Sequence, residues 1–164
     1  MPDQSTKAPK VADFFAELYV AGRFAESGWN IYFPRRDRGF DFIVSKLSDG
    51  GQQLIRPVQV KGKYPTAAKV DKTTYGYIGE LTERHPDMVL AIPYFAPGVY
   101  EVPVCIAYLP ESVIRAHSRG SKSEPAALIN GIATPRRDYA KFFGDAGLRL
   151  IERLDWPKLS TGSA

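Results

Sequence analysis

A single cysteine, Cys105, stands among the 164 residues, so neither a disulfide framework nor a cysteine-rich zinc site can be built from this chain. Its place in the apolar run 102–109 makes it a small buried side chain. Histidine is nearly as scarce. His85 and His117 are far apart, and neither has a partner at the spacing that a zinc site or a nucleophile pair needs. No stretch approaches the roughly 18 unbroken apolar residues of a membrane helix. The first seven residues lack the apolar core of a secretory signal, which points to the cytoplasm and away from a membrane partner. No internal repeat or break in composition marks a second domain. Residues 1–9 read as a disordered arm, 10–156 as one domain and 157–164 as a flexible tail.

What is present is an ordinary globular composition, 44% hydrophobic and 24% charged, with a net charge of +4. A pI of about 9.2 suits a polyanionic partner without requiring one. The distribution says more. Positive residues cluster at Arg35-Arg36-Asp37-Arg38, at Lys61-Gly62-Lys63 followed by Lys69 and Lys72, at 115–122 and at Arg136-Arg137. Each cluster falls where an element is expected to end. Arg35, Arg36, Arg38, Lys63, Lys69 and Lys72 are the candidate phosphate contacts.

Between residues 11 and 27, Val11, Phe14, Phe15, Leu18, Gly22 and Ala25 recur at helical spacing, with Pro9 before and Gly28 after, and predict an amphipathic helix. Glu17 falls beside the apolar stripe, near Phe14, Ala21 and Phe24, where it can look along the edge of whatever the helix covers. Strands are expected at 29–33, at 40–44 and at 54–61, with Ser48-Asp49-Gly50-Gly51 turning between the last two. Pro57 suggests a bulge or an edge position. The stretch 73–82 is compatible with helix or strand. Two buried strands follow at 88–95 and 99–109, then a short helix at 110–116, a mobile surface loop at 117–124 and a helix at 139–154.

Strand alternation puts Gln59 and Lys61 on one face and Val58 and Val60 on the other. Asp41, between Phe40 and Phe42, is expected on the polar face of the neighbouring strand, so a carboxylate, an amide oxygen and an ammonium converge. Asp is poorly suited to a strand and calls for a reason there. Phosphodiester hydrolysis needs charge neutralisation at phosphorus and a deprotonated water, both of which a divalent cation supplies. Mg2+ or Mn2+ prefers hard oxygens, here Asp41, the Gln59 side-chain oxygen and the Val60 carbonyl. Lys61 would orient water or stabilise developing charge, and Glu17 would hold a metal-bound water.

The order of a helix carrying Glu17, Gly28-Trp29 opening a strand, Gly39-Phe40-Asp41-Phe42 and then Gln59-Val60-Lys61-Gly62-Lys63 resembles the PD-(D/E)XK nuclease superfamily. It is most similar to the branch with Holliday junction resolvase-like and Mrr-type restriction endonuclease domains. The resemblance covers roughly residues 10–110 and lies in order and context more than in letters. It implies an α/β fold with a restriction-endonuclease-like core, a mixed central sheet of four to five strands flanked by helices. It also implies a metal-dependent endonuclease acting on DNA, Asp41, Gln59 and Lys61 in the motif positions, Glu17 as the helix acid, and a homodimer. Phe40 replaces the usual Pro and Gln59 the usual Glu. The alternative is a catalytically inactive member of the fold that binds nucleic acid or a partner.

Overall fold

The computed structural model describes residues 11–36, 38–65 and 77–162. Lys69, Lys72 and the arm at 1–9 lie outside them. The chain runs α1 (Ala12–Glu26), β1 (Asn30–Tyr32), β2 (Phe42–Leu47), β3 (Gln53–Val60), β4 (Tyr77–Gly79), β5 (Val89–Tyr94), β6 (Cys105–Pro110), β7 (Arg115–His117), β8 (Gly120–Lys122), β9 (Ala126–Ile129), β10 (Ile132–Pro135) and α2 (Gly144–Ile151). It is an α/β fold around a mixed five-stranded sheet ordered β1-β2-β3-β5-β6, in which only β3 and β5 pair in parallel. Among the described residues no helix is long and apolar enough to cross a membrane.

The register Phe42↔Val58, Val60↔Ala91 and Ala91↔Tyr108 defines one sheet face. Both α-helices lie on that face. Phe24 of α1 meets Phe42 and Tyr108 edge-on at 6.0 and 5.7 Å. From α2, a Cβ at Gly147 would sit 3.1 Å from the Tyr108 ring. On the opposite face of β5 and β6 lies the β9-β10 hairpin. Cys105 there donates to the Ala133 carbonyl at 3.7 Å, and burial pushes its thiol pKa up to about 11.

The helix at 11–27 forms, but its buried face is Ala12, Ala16, Val20, Ala21 and Phe24. Val11, Phe14, Phe15 and Leu18 are exposed. Bulky residues outweigh alanine in any hydrophobic pattern, yet small residues let a helix lie close on a sheet. Glu17 sits at the border of the buried face, half-exposed.

Pro57 is accommodated inside a central strand. It pairs with Ile43 on one side, while β5 joins only from Val58 onward. Its missing N–H therefore falls where β3 has no second neighbour. Arg56, 4% exposed, donates to the carbonyls of Ile151 (3.2 Å) and Arg153 (2.9 Å) and to Asp87 (3.3 Å). A guanidinium thus caps the C-terminal end of α2, where orphan carbonyls favour a cation.

Downstream, four expectations fail. The buried strand at 99–109 starts only at Cys105, and Val99, Val102 and Val104 before it are exposed. The helix at 110–116 is one short turn, Glu111–Val113, followed by β7. The loop at 117–124 is the β7-β8 hairpin, with Ser121 and Ser123 buried. The helix at 139–154 breaks into the turn Arg137–Phe142 and α2, because Phe143 is extended (φ -98°, ψ 146°) and Gly144 takes a φ of 58°. The β9-β10 hairpin was not anticipated; it turns on Asn130-Gly131, whose φ values of 50° and 77° suit a two-residue loop. Past Trp156, Leu159 packs against the core and the Gly162 N–H donates to the Asp138 main-chain carbonyl at 3.0 Å.

Candidate functional site

β2 begins at Phe42, opposite Val58, whereas β3 runs on to Val60. The Val60 N–H faces the β2 edge but finds no strand backbone there, and a buried N–H left unpaired is costly. Asp41 fills the gap. The Val60 N–H donates to Asp41 Oδ2 at 2.6 Å, and the Asp41 N–H donates to the Val58 carbonyl at 2.9 Å. The carboxylate is thereby held at the sheet edge, in the place of a ladder bond, not on the face with Ile43 that simple alternation predicts. In a strand the N–H and C=O of one residue address the same edge, so the Val60 carbonyl shares the edge with Asp41.

Gln59 and Lys61 point away from the helices, as alternation requires. Gln59 is 5% exposed, and its buried Oε1 has no hydrogen-bond partner among the described residues. An unsatisfied buried acceptor costs about 1–3 kcal/mol and asks for a donor, a water or a cation. The Lys61 and Lys63 N–H groups donate to Ala91 and Pro93, both at 2.9 Å, so the two side chains continue the Gln59 face along β5. The Lys63 ammonium donates to the Tyr77 carbonyl. Burial, and then the nearby Lys61 charge, pull its pKa down to about 8. Gly62 between them is required by packing: a Cβ there would meet the Tyr64 hydroxyl oxygen at 2.5 Å, while the Tyr64 ring stacks on Phe95 at 4.9 Å.

Compared with known families and curated proteins, the chain matches no family model and no curated protein.

Asp41 is therefore joined to Val60 at the end of β3, and Gln59 and Lys61 flank Val60 with their side chains on the face away from the helices, Lys63 lying near Lys61. Glu17 comes from the helix-covered side. Its charge, after burial and after Asp13, raises the Tyr64 hydroxyl pKa. Glu17 and Lys61 thus approach the strand end from opposite faces, with side-chain-free Gly62 between. Arg35, Arg36 and Arg38 are exposed on the segment leading to Asp41. Among the described residues no group of three or more His, Cys, Asp or Glu side chains could hold a metal.

Two carboxylates were missed in the sequence. Asp13 lies one helical turn before Glu17 and joins it near Tyr64; the i, i+4 spacing was a readable signal. Glu83 packs over Gly39, where a Cβ would lie 2.6 Å from its Cγ, two residues ahead of Asp41. That contact joins distant segments, and no local pattern announces it.

Proposed function

We propose that the chain is a metal-dependent endonuclease that hydrolyses phosphodiester bonds of DNA, built on a restriction-endonuclease-like core. The observation that carries this is the Asp41 carboxylate, pinned to the N–H of Val60 at 2.6 Å, with the preceding residue, Gln59, burying an oxygen that has no partner among the described residues. One carboxylate, one amide oxygen and one main-chain carbonyl are the hard donors that Mg2+ or Mn2+ accepts alongside waters and substrate phosphate. When bound, such an ion neutralises phosphate charge and lowers the pKa of water.

The chain's own groups do the rest. Asp41, Gln59 and the Val60 carbonyl hold the ion. Lys61 orients the attacking water or stabilises the charge that develops on phosphate oxygens. Glu17 approaches from the other side of the strand end as the second carboxylate. Arg35, Arg36, Arg38 and Lys63 fix flanking phosphates, contacts that position DNA without reading its sequence.

Incubation with supercoiled, linear and branched DNA plus Mg2+ or Mn2+ tests the proposal. Cutting is expected with metal and lost in Asp41→Ala and Lys61→Ala. The second reading is a non-catalytic nucleic-acid-binding module. It is favoured by neutral Gln59 and by the lack, among the described residues, of a cluster of three metal-binding side chains. Protein that cuts nothing under any metal, yet binds DNA with an affinity that falls steeply with salt, decides for the module.

A further inference from the structure

Helix α1 is apolar on two sides. Its inner face lies on the sheet, and Val11, Phe14, Phe15 and Leu18 on the outer face are 47, 55, 51 and 43% exposed. Gly22 and Ala25 complete this outer stripe, and a Cβ at Gly22 would meet nothing within 4 Å. The six residues fall within an arc of about 100°, the width of a helix-packing face. Their spacing of three and four residues is that of a helix–helix seam. An exposed apolar stripe of this width is more than a helix needs to cover its own side of the sheet.

The stripe is also graded in size, bulky toward its N-terminal half and small toward its C-terminal half. Phe14 and Gly22 each lie four residues from Leu18, and Val11 and Ala25 each seven. A two-fold axis at Leu18, running the two helices antiparallel, sets the Phe14-Phe15 end of each copy over the open Gly22 of the other. It sets Val11 against Ala25 and Leu18 against Leu18. A parallel pair would oppose Phe to Phe and Gly to Gly, crowding one end and leaving the other hollow. We propose that the outer face of α1 pairs with the same face of a second copy, antiparallel about Leu18. Such an isologous contact closes on itself and makes a dimer, not a fibre.

The area sets the strength. Half of a phenylalanine is about 100 Å², so the four large residues offer on the order of 350 Å² per copy. The pair buries about 700 Å² before the helix flanks are counted, against about 1,000 Å² for a secure interface. The association is accordingly weak and reversible.

Sedimentation velocity from about 1 µM to several hundred µM should show a concentration-dependent monomer–dimer equilibrium. Leu18→Lys and Leu18→Glu should each remain monomeric with unchanged circular dichroism, since Leu18 is exposed, and an equimolar mixture of the two should associate again. In a Cys105→Ser background, Phe15→Cys mixed with Gly22→Cys should form an oxidised cross-link that neither forms alone. Wild type that stays monomeric throughout overturns the proposal. So does undiminished association of Leu18→Lys, which would move the contact elsewhere, for instance to exposed Ile43, Leu47 and Ile55 on the sheet. Failure of the charge mixture to associate, or cross-linking of Phe15→Cys with itself, overturns the antiparallel register.

Discussion

Asp41 has two separable jobs, and Asp41→Asn against Asp41→Ala separates them. Its carboxylate accepts from the N–H of Val60, a residue only 8% exposed, at 2.6 Å. Alanine leaves that N–H with no acceptor at the end of β2, a loss of about 2–3 kcal/mol for a charge-assisted bond. In a domain of this size that is a drop in Tm of about 4–10 °C. Asparagine keeps an acceptor and gives up only the charge, costing about 1 kcal/mol. Cleavage should respond differently. Both variants lack the anionic ligand, whose share of phosphate charge neutralisation is several kcal/mol, so both should lose at least about a hundredfold in rate. Thermal unfolding and plasmid cleavage on the same preparations make the comparison. An Asp41→Asn protein that cuts at the wild-type rate removes Asp41 from the chemistry, and an Asp41→Ala protein as stable as wild type removes the Val60 bond from the energetics.

Arg56→Met should cost about 3 kcal/mol in chemical denaturation, because it strands the Ile151 and Arg153 carbonyls that the buried guanidinium serves. Equal stability of Met and wild type would mean that water reaches those carbonyls. Lys63, its pKa drawn down to about 8, carries its own pH signature. Between about pH 8 and the ordinary lysine value the unfolded chain holds a proton that the folded chain has released, so Lys63 makes stability rise with pH across that window. Lys63→Met should flatten the rise. DNA affinity measured across pH 7–9 should fall in wild type as the ammonium deprotonates, and should hold steady in Lys63→Arg.

Where local chemistry decides, the sequence is a good guide. Gly28 ends α1, Ser48-Asp49-Gly50-Gly51 turns β2 into β3, and the alternation that separates Gln59 and Lys61 from Val58 and Val60 survives in the sheet. It misleads where tertiary packing chooses among local options. Four bulky residues on α1 suggest the core side, yet contact with the sheet selects the alanines. The polar, basic stretch 117–124 suggests a loop, yet β4 pairs with β8 and draws Ser121 inside. The site shows the same division. That Asp41 belongs with Gln59-Val60-Lys61 was legible from residue types and order. That it sits in the plane of the sheet was not, since this follows from β2 starting two residues too late to satisfy Val60.

The in-plane position gives the Gln59 question a definite form. A glutamate at 59 would place a second carboxylate in a buried position, 5% exposed, one residue from the Val60 that Asp41 holds and without a donor among the described residues. Without a cation that is doubly unfavourable, through desolvation and like-charge repulsion. Glutamine lowers the cost of the metal-free state and weakens the hold on metal together. Gln59→Glu should therefore lower the Tm in chelator and raise it above wild type in millimolar Mg2+, because a ligand bound only by the folded state stabilises in proportion to the logarithm of its saturation. The contrast needs no cleavage assay, so it stands even if the natural activity is slow. A Gln59→Glu protein whose Tm ignores Mg2+ would show that the Asp41 edge is not a cation site, and the short Asp41–Val60 bond would then be explained by the strand end alone.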